Sequence, residues 1–201
     1  MQTKIVSSKI LLMIVFGGFA LFAMSLSYFS LKNRTESDLV PPTVNIAVQE
    51  KEGVPLPVRL KIPKITVDAK VELMGLTSDG AMEAPKRGRN VGWYSAGSRP
   101  GEVGSAVMDG HYGTWKNGEG SVFDNLNKLE KGDRVSVEDE KGTLITFVVR
   151  ESREYDSNAD ATDVFDSSDG KVHLNLITCE GVWNKDSKSY SQRLVVFTDK
   201  E

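Results

Sequence analysis

A chain of 201 residues with 39% hydrophobic and 26% charged residues has room for a membrane segment plus one ordinary domain, and it is too apolar to be disordered as a whole. Its net charge is −3. Residues 1–31 hold two lysines and no acid, so the rest carries 23 basic and 28 acidic groups, which argues against the basic face a nucleic-acid binder needs.

From Ile10 to Leu31 the chain has 22 consecutive residues without a charge. As a helix, at about 1.5 Å per residue, this stretch is roughly 33 Å long, enough to cross a bilayer core. A transmembrane signal anchor over 10–31 is expected, with 1–9 on the cytoplasmic side. A cleaved signal peptide is the rival, but its apolar core is usually shorter; Ala23-Met24-Ser25 is an undistinguished cut site. Lys4 and Lys9 before the span nearly balance Lys32 and Arg34 after it. Orientation with the N-terminus inside is preferred because it exports the long polar remainder. Residues 32–57, with Pro41-Pro42, Pro55 and Pro57, read as an extracellular stalk.

The domain proper, 58–201, opens with alternating Val58-Arg59-Leu60-Lys61-Ile62, the pattern of a half-buried strand. A second strand is predicted over 65–73, then a turn at Ser78-Asp79-Gly80 and a short aromatic run ending Trp93-Tyr94. Ser105 to Met108 reads as a strand that ends at Gly110-His111. The spacing of Val122, Phe123, Leu126 and Leu129 predicts one short amphipathic helix over 121–129. Strands follow over 134–137 and 143–150. Residues 156–169 read as an acidic loop with a helical turn near Asp163-Val164-Phe165. The last two strands are Val172 to Cys179 and Arg193 to Thr198. Seven or eight short strands with one or two short helices predict a mainly β fold, a closed or nearly closed barrel.

Cys179 is the only cysteine, which excludes an intrachain disulfide and a multi-cysteine zinc centre. A free thiol is most often buried and inert. Cys179 instead ends an apolar strand and is followed by Glu180-Gly181. A thiolate nucleophile needs a nearby base or positive charge. Arg193 opens the next strand and cannot lose its proton, so it suits an oxyanion. Of the two histidines, His173 precedes Cys179 by six residues on the same strand, roughly 20 Å away, and reads as a partly exposed strand residue. His111, after glycine at another strand end, is the one the fold can bring to the thiol. Two such ligands plus Asp109 fall short of a metal centre, so no metal and no cofactor are expected.

Asn175-Leu176-Ile177-Thr178-Cys179 resembles the T-L-x-T-C motif of the sortases, membrane-anchored cysteine transpeptidases, with Asn in place of the first Thr. Gly110-His111 and Arg193 match that family's histidine and arginine. Val91-Gly92-Trp93-Tyr94, Pro100-Gly101-Glu102-x-Gly104 and the spacing from Val122 to Gly132-Asp133 look most like class F sortases. The resemblance covers about residues 58–198 and implies an eight-stranded sortase-type β-barrel. It implies a single-pass type II protein of the cell membrane with its catalytic domain extracellular. Its partners would be surface proteins bearing a C-terminal LPxTG-like sorting signal, and an amine acceptor, either a lipid-linked peptidoglycan precursor or a pilin lysine. Catalysis would fall to His111, Cys179 and Arg193, and substrate contacts to Thr178, Ile177, Trp183 and Tyr190. An L,D-transpeptidase is a weaker reading, because Thr178, not glycine, precedes the cysteine. An anchored β-domain for adhesion or assembly is the non-enzymatic alternative.

Overall fold

Alternating patterns build eight strands: β1 (Pro57–Ile62), β2 (Val67–Met74), β3 (Val91–Tyr94), β4 (Gly104–Gly110), β5 (Arg134–Asp139), β6 (Leu144–Asp156), β7 (Val172–Asn184) and β8 (Ser189–Lys200). The computed structural model describes residues 53–116 and 118–201; the expected tail, anchor and most of the stalk lie outside the described residues. The strands close into a barrel with neighbour order β1-β2-β3-β4-β7-β8-β6-β5. Closure leaves no unpaired sheet edge. Two pairs are parallel, β2 with β3 and β4 with β7; each needs a long crossover, and the second one carries β5 and β6.

Period-2 alternation divides each strand between two environments. Leu60, Met108, Phe147, Leu174, Leu176 and Val196 are fully buried among the residues that fill the barrel. Each such side chain contributes about 2 kcal/mol by leaving water. The alternate residues face outward. On β8 these include Val195 and Phe197, which are covered by Val164 of the four-residue helix α1 (Thr162–Phe165). The helical turn expected near Asp163 is therefore present. It is tied down by Asn175, whose Nδ2 donates to the Val164 carbonyl at 2.7 Å. Asparagine at this motif position thus fastens α1 to β7.

Three expectations change. The segment 121–129 is a run of turns with one 3₁₀ turn, Leu126–Lys128, not an amphipathic α-helix. Its four apolar side chains are buried as their spacing required. However, the Val122 N–H reaches the Gly88 carbonyl and the Phe123 N–H the His111 carbonyl, which pins the segment across the barrel. Secondly, β6, β7 and β8 run well past their apolar cores, because paired backbone carries on where side chains turn polar. Residues 180–192 are consequently the arms of a hairpin, with Trp183 opposite Tyr190 and a register shift after Glu180. Gly181 sits in that irregularity at φ +84°, a conformation other residues adopt only with strain. Thirdly, His173 is buried, only 4% exposed. Its ring nitrogens lie 2.8 Å from Asp199 and 3.0 Å from Asp169, and the imidazole holds the Asp169 carboxyl far below the usual carboxylate range.

Gly110 closes β4 where no side chain fits. A Cβ there would stand 2.5 Å from Phe123 Cδ2 and 2.7 Å from Val122 Cγ1. Gly110→Ala is expected to cost about 1–3 kcal/mol through overpacking. It should also shift the neighbouring His111, lowering both the melting temperature and activity. Unchanged melting would show that the packing around Gly110 is looser than described.

Candidate active site

Three neighbouring strands carry the reactive groups. Gly110 on β4 lies opposite Thr178 on β7, and Cys179 on β7 lies opposite Arg193 on β8. The next residue after the Gly110–Thr178 pair is His111 on one side and Cys179 on the other. Adjacent strands run about 4.8 Å apart, so His111, Cys179 and Arg193 form one row across the barrel's outer face. All three line a groove of about 720 Å³. Its floor includes Asp109, Ile177 and Val195, one row behind. Met82 from the β2–β3 connection and Phe165 from α1 also line it.

His111 has a fixed orientation. Its Nε2 lies 2.7 Å from the Pro85 carbonyl, and its ring packs against Trp115 at 4.3 Å between centroids. A carbonyl only accepts, so Nε2 carries a proton and Nδ1 is the nitrogen able to take up and release one. Arg193 is held by its own hairpin. Nη1 donates to the carbonyls of Tyr190 at 3.1 Å and Gln192 at 2.9 Å, and Nη2 to Ser189 Oγ at 3.1 Å. Of the five guanidinium N–H donors, this leaves Nε and one on Nη2 for another acceptor.

Burial pushes the Cys179 thiol up from its ordinary value, the Arg193 charge opposes this, and the Asp109 charge adds to it. The half-buried Asp109 carboxyl is itself pushed up to about 7. Burial is the main cause; the backbone N–H groups of Asp109 and Gly92 oppose it and the Glu72 charge adds to it. A thiol of this kind must lose its proton before it can act as a nucleophile, and His111 lines the same groove.

The expected substrate contacts fall into two groups. Ile177 and Thr178 line the groove beside Cys179. Alternation turns the Thr178 side chain inward, where it is 2% exposed and its hydroxyl donates to the Gly110 carbonyl at 2.8 Å. That hydroxyl ties β4 to β7 and so sets the level of His111 against Cys179; it is not presented to a substrate. Trp183 and Tyr190 lie outside the groove. They pack edge to face at 5.1 Å, and Tyr190 meets Tyr112 in the same way at 5.3 Å. This aromatic stack braces the hairpin that carries Arg193. The sequence reading missed Asp109 as part of the floor, although a carboxylate inside an otherwise apolar strand was its visible signal. It also missed Pro85, since a backbone carbonyl leaves no sequence signature.

A closed eight-stranded barrel bearing an outward row of imidazole, thiol and guanidinium holds the kinds of group that acyl transfer to a thiol uses. The sequence matches the family description of the sortase domain over residues 60–201. The chain belongs to the sortase family and is a cysteine transpeptidase of that family. Among solved structures it is similar to sortase C-1 from Actinomyces oris, with 27% identity, covering 72% of this chain and 74% of that one at a TM-score of 0.56. It is also similar to Streptococcus agalactiae sortase C1 in its complex with MTSET, with 26% identity, covering 72% and 66% at 0.56. The lid mutant of sortase A from Corynebacterium diphtheriae shares the fold at 19% identity, covering 77% and 75% at 0.57. Comparison with curated proteins found no match.

Proposed function

We propose that this sortase is a type II membrane-anchored enzyme of the cell surface that cleaves an LPxTG-like sorting signal between Thr and Gly. It then transfers the protein to an amine acceptor, a lipid-linked peptidoglycan precursor or a pilin lysine. The observation that carries this reading is the register-set row of His111, Cys179 and Arg193 along one groove. The Cys179 thiol passes its proton to His111 Nδ1 as Sγ attacks the Thr carbonyl carbon. The tetrahedral oxyanion is met by the Arg193 donors left free by the hairpin. Collapse breaks the C–N bond, His111 Nδ1 protonates the departing Gly amine, and a thioester remains. An incoming amine attacks the thioester, its proton goes to His111 Nδ1, and the thiol is restored as the new amide forms. Class F membership is supported by the Val91–Tyr94 run and the 122–133 spacing, and export by the uncharged stretch 10–31.

The test mixes full-length protein in detergent with an L-P-x-T-G peptide library and triglycine, with products read by mass spectrometry. A Thr–triglycine ligation product is expected, unchanged in yield by a chelator. Loss of activity on chelation, restored by calcium, would show that an ion belongs to the site. Absence of any cleavage would refute the reading.

A further inference from the structure

One polar group in the groove has no part in the reaction just described. Asp109 faces outward from β4, two residues before His111, in a row set by the register Gly92–Asp109–Ile177–Val195 across β3, β4, β7 and β8. The other side chains of that row are apolar, and glycine contributes none. The absence of a side chain on Gly92 makes room for the carboxyl: a Cβ there would collide with Asp109 Oδ1 and with Met74 Cγ. Oδ1 is enclosed and has no hydrogen-bond partner among the described residues. The floor is therefore shaped around a carboxyl that has backbone N–H groups of Asp109 and Gly92 beside it but keeps one oxygen without a partner among the described residues.

We propose that Asp109 is a specificity-determining residue, whose carboxyl accepts a hydrogen bond from a donor-bearing side chain of the bound peptide just upstream of the attacked carbonyl. The proposal rests on the transpeptidase reading and names what that groove selects. The physical reason is desolvation. A peptide lying in the groove strips the remaining water from the carboxyl, and an apolar residue above it would leave a buried acceptor unpaired. A hydroxyl, carboxamide or ammonium group would pair with it instead. The row lies two residues behind Cys179, about 6.6 Å along the strand, so the contacted residue is one or two positions before the Thr that is acylated. Those are the x and Pro positions of an L-P-x-T-G signal. A site built to hydrogen-bond its substrate rejects the analogue without the donor, here by about 10–100-fold in kcat/KM.

Ionisation sharpens the preference. Asp109 is pushed up to about 7, so it passes from acid to carboxylate as pH rises through neutrality. The charged or titratable groups around it are Glu72 on β2, His111 at the end of β4, Cys179 on β7 and Arg193 on β8. A lysine in the contacted position gains most when Asp109 is charged, so its advantage over glutamine should grow between pH 6 and about 8.

The experiment uses the full-length protein and peptides that vary the x and Pro positions through Lys, Gln, Ser, Ala and Leu, comparing wild type with Asp109→Leu and Asp109→Asn. Wild type should favour Lys, Gln and Ser over Ala and Leu at one of the two positions. Asp109→Leu should reverse that order. Asp109→Asn should keep the Gln and Ser preference through its carbonyl oxygen and lose the pH-dependent advantage of Lys. Melting temperature and native Cys179 labelling check that each variant is folded. Equal relative rates in wild type and Asp109→Leu, including a uniform loss across all peptides, would assign Asp109 a structural role and overturn the proposal. If wild type cleaves no peptide, the transpeptidase reading fails and this inference fails with it. Cleavage by wild type with an unchanged profile in the variants sinks the inference alone.

Discussion

Cys179→Ala abolishes both cleavage and amine ligation, an expected loss of roughly 10⁴–10⁶-fold, and leaves the barrel folded. The magnitude follows from chemistry: without Sγ there is no thioester, and the remaining binding and oxyanion contacts act on a peptide with no nucleophile. Stability is expected to survive because the backbone at 179 still pairs with Arg193 and alanine keeps Cβ. The side chain lies at the groove and forms no disulfide, so only partly exposed sulfur is lost. Intact-mass spectrometry should find the acyl-enzyme in wild type and none in the variant, with melting temperatures within a few degrees. Ligation by the variant would move the nucleophile elsewhere.

Arg193→Lys, a swap that keeps the charge, should lose about 10²–10³-fold in turnover, nearly as much as Arg193→Ala. The guanidinium fork spends three N–H groups on Tyr190, Gln192 and Ser189 and still has two to offer. An ammonium has three donors in all and no planar fork, so it cannot brace the hairpin and meet an oxyanion in the same pose. Thiol labelling separates charge from geometry. Arg193 pulls the Cys179 thiol down, against burial. Removing that cation lets the thiol rise further, so at any pH below its titration less thiolate is present and alkylation slows. Arg193→Ala should therefore shift the labelling profile to higher pH, adding to the upward shift that burial already causes. Arg193→Lys should shift it little while turnover is still lost. Full activity in the lysine variant would show that charge alone suffices.

Legibility differed by the range of the interaction involved. The strand cores around Leu60, Val107, Val135, Phe147, Leu176 and Val196 were readable because alternation is local and period 2 survives in the sequence. The far halves of β7 and β8 were not, because Trp183 and Tyr190 stand in polar surroundings where hydrogen-bonded pairing, not side-chain pattern, keeps the strands together. The helix expected over 121–129 failed for a related reason: long-range bonds to Gly88 and His111 outweighed a correct apolar spacing. His173 looked exposed because its two aspartate partners are far more visible in space than in the chain's pattern.

At the site, the sequence alone determined which atoms are available: one thiol, an imidazole after glycine, and an arginine at a strand start. It did not exclude Thr178, which was expected to touch substrate beside Ile177; the inward turn of that side chain, with its hydroxyl on the Gly110 carbonyl, was read only from the structure. Only the tertiary structure decided that these groups share one row, since the parallel β4–β7 pairing joins strands separated by two intervening ones. It alone decided that the Pro85 carbonyl orients the His111 ring, that the hairpin holds Arg193, and that Asp109 lines the groove with its Oδ1 enclosed. Each of these depends on backbone groups or strand neighbours brought together by closure of the barrel, and a linear pattern of side chains does not encode such contacts.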